Sequence, residues 1–160
     1  MEENKNYVDI LIRDLKKKKQ ILDAIQLSNY KQREILEDPN GDPDDFDKVV
    51  EEKAKLIEQL ETLDTGFEQV YNRVKEELNE HKELYKEEIK EMQKYIRLLT
   101  EKSASVQVEE HRNKELFRQK CVNVNKQIRE IRSSQKVVNQ YYKNMMKSNF
   151  IDPQFLDNKK

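Results

Sequence analysis

The sequence predicts an all-α protein: an elongated antiparallel helical hairpin followed by a long C-terminal helix, together a three- to four-helix bundle. Three observations carry this. Apolar residues recur at three, four and seven over most of the chain, the period of a helix with one buried face. Charged residues make up 39% of the chain against 35% hydrophobic, with only two glycines and three prolines, the composition of long helices rich in surface. No sustained alternation of Val, Ile, Thr and aromatics broken by turn residues is present, so strands are not expected.

The first helix is expected over residues 4–37, where Val8, Leu11, Leu15, Leu22, Ile25 and Leu36 form the stripe and Lys18, Asn29 and Gln32 fill its remaining positions. At 1.5 Å per residue it is roughly 50 Å long, a match for the helix that follows it. The run Lys16 to Lys19 straddles the stripe and reads as a solvated face whose aliphatic stems lie along apolar surface. Asp38 to Pro43, DPNGDP, is the clearest turn, because both prolines block helix continuation and Asn-Gly favours a positive φ. Its acidic residues do not make a calcium loop: an EF loop needs glycine sixth and glutamate twelfth, and Gly41 is fourth and Val49 twelfth here.

The second helix is expected over 44–79 on the stripe Phe46, Val50, Ile57, Leu60, Phe67, Tyr71, Val74 and Leu78, with Asp44 and Asp45 as caps. Asp47, Glu51 and Glu52 add negative charge near the positive end of its dipole. The stripe then continues through Tyr85, Ile89, Met92, Ile96, Leu99 and Val106 with no proline or glycine to stop it. An unbroken helix would exceed roughly 100 Å, so a break is expected at Asn79–Leu84, with Ser103–Ser105 as a second candidate because the inward positions Glu110 and Asn113 that follow are polar.

The third helix, 84–148, has the inward set Phe117, Cys121, Val124, Ile128, Ile131, Val138, Tyr142 and Met145. Arg112 to Lys147 is basic, Glu76 to Glu91 acidic, and the two blocks are expected to complement each other across antiparallel helices. Residues 1–148 form one helical domain, and 149–160 a mobile C-terminal tail, although Phe150, Ile151, Phe155 and Leu156 are more apolar than a solvating tail needs.

The net charge of -1 gives no overall attraction to nucleic acid or membrane, and the basic helix lacks stacking aromatics or a known binding module. With no apolar leader and no run approaching a membrane span, a cytoplasmic protein without membrane insertion is expected. Cys121, the one cysteine, fits a reducing compartment and reads as a buried thiol on the stripe. Enzymatic chemistry is not expected. His81 and His111 belong to no metal motif, and a di-iron Glu-x-x-His fails at both because Leu78 and Val108 stand where glutamate is needed. Gly41 and Gly66 are isolated, so no phosphate loop forms and no cofactor is expected.

What remains is recognition of another helix. Long amphipathic helices whose apolar stripes exceed what they bury among themselves leave a surface that a foreign amphipathic helix can cover, and Met92, Met145 and Met146 lend such a surface adaptability. The alternative is a coiled-coil or tethering protein that self-associates through the same stripes as a homodimer.

The segments EKAKLIEQLETLDTGFEQVYNRVKEEL, IRLLTEKSASVQVEEHRNKELF and QKVVNQYYKNM resemble bacterial flagellar export chaperones of the FlgN type, with FliT-type chaperones as near relatives. The resemblance runs from about Val8 to Met146 and is carried by K-x-x-L-I-x-x-L-x-x-L-D at Lys53 to Asp64 and E-x-x-N-K-x-L at Glu110 to Leu116. It implies a small cytosolic chaperone that covers the aggregation-prone terminal helix of unassembled filament-class subunits, the hook-filament junction proteins in the FlgN type, and delivers them to the export gate. It also implies partner contacts through the C-terminal helix: Phe117, Val124, Ile128, Ile131 and Val138 for the subunit, and Tyr141, Tyr142 and Met145 for the subunit or an export gate component.

Overall fold

Among its described residues the computed structural model holds three long helices, α1 (Glu2–Glu37), α2 (Pro43–Glu80) and α3 (Lys86–Asn123), and no strand. Those residues are 2–123 together with Lys136, Asn139, Gln140 and Lys143, so the expected tail at 149–160 lies outside them. Each helix is roughly 55 Å long at 1.5 Å per residue.

α1 occupies the middle position, packing along both α2 and α3. Its buried face is wide enough for two neighbours, since Ile12, Ile21 and Ser28 extend the Val8, Leu11, Leu15, Leu22 and Ile25 stripe on either side. Contacts fix the directions. Tyr7, Lys18 and Asn29 of α1 meet Arg73, Asp64 and Lys53 of α2, so these two helices are antiparallel. Lys16, Asp23 and Asn29 meet Glu91, Lys102 and Asn113 of α3, so α1 and α3 run parallel. Glu91, a member of the acidic block, is thereby neutralised by α1.

The first connection works differently from the sequence expectation. Asp42, not Asp44 or Asp45, caps α2: its carboxylate accepts from the Asp44 amide at 2.9 Å. Pro43 opens the helix because the first turn needs no donor there and proline's fixed φ suits it. Asp44 and Asp45 lie in the first turn, where the dipole favours them. The turn is tight enough to demand a glycine, since a Cβ on Gly41 would collide with the Ile35 carbonyl oxygen. Lys120 of α3 reaches the same place, donating to the Ile35 carbonyl at 3.3 Å and the Asp38 carbonyl at 3.1 Å, and so supplies the cation that the last turn of α1 lacks.

α2 ends at Glu80, and the chain turns through 81–85 with Leu84 and Tyr85 amides both directed at the His81 carbonyl. Tyr85 is buried at this corner. α3 then runs without interruption through Ser103–Ser105. The polar positions Glu110 and Asn113 do not break it because partners from α1 and α2 receive them.

Candidate functional site

The bundle interior changes character along its length. From Val8 to Ile25 of α1, with Ile57, Leu60, Val74, Met92 and Leu99 opposite, it is apolar. Further along it becomes a polar layer assembled from all three helices. Lys53 of α2 has no exposed surface, and its ammonium donates to Asn29 Oδ1 at 2.9 Å, Gln32 Oε1 at 2.6 Å and Glu110 Oε2 at 2.5 Å. Asn113 Nδ2 donates to the Asn29 carbonyl at 2.9 Å, while Asn29 and Gln26 amides donate to the Glu109 carboxylate. Gln32 Nε2 is buried with no hydrogen-bond partner. Burial lowers the Lys53 pKa, opposed first by the Glu110 carboxylate and then by Glu109. Three oxygen acceptors from α1 and α3 thus hold the Lys53 Nζ in place.

A second charge pair sits in the apolar half. Lys18, which the sequence places on the stripe, is 4% exposed and bonds Asp64 at 2.7 Å. Burial outweighs mutual attraction for both: Lys18 falls to about 8, and Asp64 is raised above its usual value. Alongside them a small cavity is lined by Asp14, Leu15, Leu63, Phe67 and Leu99. Lys16 and Lys17 are solvated as expected, whereas Lys18 is not.

Of the residues that the resemblance implies for partner binding, Phe117 is within the described chain, and it is buried, its ring stacked on Phe46 with centroids 5.6 Å apart. Val124, Ile128, Ile131, Val138, Tyr141, Tyr142 and Met145 lie outside the described residues, as does Met146. Met92 is buried in the core, and Cys121 is half-buried against it. The expected apolar surplus is not found along the seams of α1 to α3. The large hydrophobic residues exposed there are Leu27 and Tyr30, neighbours on one face of α1, with Leu84, Val108 and Val122, and a partly buried margin of Leu56, Leu63, Phe67 and Val70 follows α2.

Among the described residues, no group of His, Cys, Asp and Glu could hold a metal ion, and no helix is long and apolar enough to cross a membrane. Apart from Gln32 Nε2 and Ser103 Oγ, the buried polar side-chain atoms among the described residues are hydrogen-bonded.

The sequence model of one family, described as FlgN protein, matches residues 1–148. The chain belongs to the FlgN family. No curated protein and no solved structure matches it. FlgN proteins are flagellar export chaperones, a family of binding proteins and not of enzymes, which agrees with the all-helical bundle. The two segments that carry the FlgN resemblance gain a physical meaning here. Lys53 and Asp64 bound the first, Glu110 and Asn113 lie in the second, and all four are engaged in the interior polar contacts. Lys53 is the member that sequence reasoning missed. It lies seven residues after Phe46, and Glu110 lies seven before Phe117, so the Phe46–Phe117 pairing in antiparallel register sets the two charges opposite.

Proposed function

We propose that this FlgN-family chain is a cytoplasmic chaperone that binds unassembled hook-filament junction subunits by helix-in-groove contact and delivers them to the export gate. The observation that supports it most is the extent of the family match, which continues to residue 148 and so includes the whole stretch bearing Val124, Ile128, Ile131, Val138, Tyr141, Tyr142 and Met145. These side chains recur at helical spacing, and their apolar character has no use in catalysis. Together with Phe117 they would receive the apolar face of the subunit's terminal helix, with Tyr141, Tyr142 and Met145 also available to an export gate component. α1 packs along both α2 and α3, so the described helices bury a core of their own before the stretch that bears the remaining partner residues begins.

A pull-down of flagellar proteins with the full chain as bait tests the reading. Recovery of junction-type subunits is expected. A well-folded bait that retains none of them, or that forms only a concentration-independent homodimer, would refute it.

A further inference from the structure

Beyond Val106, α3 is held to its neighbours mainly by polar groups. Its buried residues there are Glu110, Asn113 and Phe117, while Val108 and Val122 face outward. α1 contributes Ser28, Asn29 and Gln32 over the corresponding stretch, and α2 contributes Lys53. Among the described residues, the apolar column continues past this layer as Phe46, Val49, Val50 and Phe117 with half-buried Ile35, Leu36 and Cys121. A bundle that needed only rigidity would fill such a layer with leucine or isoleucine. Separating two apolar surfaces in water forfeits their burial outright, whereas separating Lys53 from Glu110 returns both charges to water and regains the solvation that burial removed. Gln32 Nε2, buried without a partner, gains a hydrogen bond on opening. Among the described residues, what resists separation at this end is one stacked ring pair, half-buried Cys121 and polar contacts, from Asn113 to the Asn29 carbonyl, from Gln26 and Asn29 to Glu109, and from Lys120 to the Ile35 and Asp38 carbonyls.

We propose that the Lys53–Glu110 layer is a release seam, at which α3 beyond Val106 parts from α1 and α2 as a unit and uncovers Phe46, Val50 and Phe117 for an amphipathic helix of the bound subunit. The opening stands on the packing alone, and its occupant rests on the chaperone reading above. The seam explains how Phe117 can be both a core residue and a partner contact. It also places the new contact surface directly before the stretch that carries the remaining partner residues.

Hydrogen exchange read by mass spectrometry on the full chain tests both parts. In the free protein, amides of 107–123 should exchange about tenfold or more faster than those of 86–106, as a step at Val106 and not a slope toward the C-terminus. In Gln32→Leu/Lys53→Met/Glu110→Leu the step should shrink to roughly twofold, and binding of the purified junction subunit should weaken about tenfold, because the seam no longer opens cheaply. Glu110→Gln should act in the opposite sense, enlarging the step, and this decides the matter if the triple variant fails to fold. Equal protection on both sides of Val106, or a step that none of these substitutions moves, overturns the seam. A step that closes in the triple variant while subunit binding is unchanged overturns the occupant. A step that closes as expected in a chain that binds no subunit even as wild type upholds the seam and refutes the chaperone reading.

Discussion

Replacing Glu110 by leucine leaves the Lys53 ammonium with only the amide oxygens of Asn29 and Gln32, at 2.9 and 2.6 Å, in a place with no exposed surface. Removing one partner of a buried ion pair costs about 3–5 kcal/mol. Lys53 can relieve part of this by giving up its proton, since burial already lowers its pKa, so about 2–4 kcal/mol is expected. Lys53→Met strands the Glu110 carboxylate at a comparable cost. The double variant removes both charges and keeps side chains of similar volume, so its remaining penalty is that of Asn29 and Gln32 oxygens losing a donor, about 1 kcal/mol each. The double variant should therefore be no less stable than either single one, giving a coupling of about 2–6 kcal/mol. Urea unfolding followed by circular dichroism, on wild type, both single variants and the double, measures the cycle. Single variants that cost under about 1 kcal/mol, or a double variant that costs their sum, would show that the pair is not the buried unit described here.

Three further outcomes follow from the same contacts. Lys18 titrates at about 8 in the folded chain and near 10.5 unfolded, so between those values the unfolded chain holds more protons and stability rises with pH; wild type should gain about 1–2 kcal/mol over Lys18→Met between about pH 7.5 and 9.5, and a constant difference in urea unfolding would contradict this. Gly41→Ala, which forces a Cβ against the Ile35 carbonyl oxygen, should cost about 1–3 kcal/mol, and Lys120→Met, which uncaps Ile35 and Asp38, about 1 kcal/mol; thermal melts that leave both unchanged would refute the account of this corner. Ile128→Glu should weaken subunit binding more than it lowers the melting temperature, and equal losses in titration and melt would make Ile128 an ordinary core residue.

Much of the fold can be read from spacing. Val8 to Leu36 and Phe46 to Leu78 each keep one helical phase, and Lys18, Asn29 and Gln32 fall on that phase, which is why they are buried. Three things were less accessible. The central place of α1 follows from Ile12 and Ile21, which widen its stripe, but a wider stripe does not say which helix covers which side. The start of α2 depends on whether Pro43 ends one element or opens the next, and only the Asp42 cap decides that. Glu110 and Asn113 point inward by phase alone, yet an inward glutamate looks like a defect until its cation is known. Lysine and glutamate are each commonest at surfaces, so the register linking Lys53 to Glu110 is a tertiary fact. Of the candidate site, spacing identified Phe117 as inward, and its partner Phe46 emerged only from the packing.

The proposed chaperone function assigns the subunit contacts chiefly to the stretch beyond Asn123. Isothermal titration of the purified chain with hook-filament junction subunits, beside a chain truncated after Asn123, measures it most directly. Saturable binding by the full chain, weakened at least about tenfold in a truncated chain that still melts cooperatively, is the result the account predicts. A folded full chain that takes up no subunit, or a truncated one that binds equally well, would contradict it.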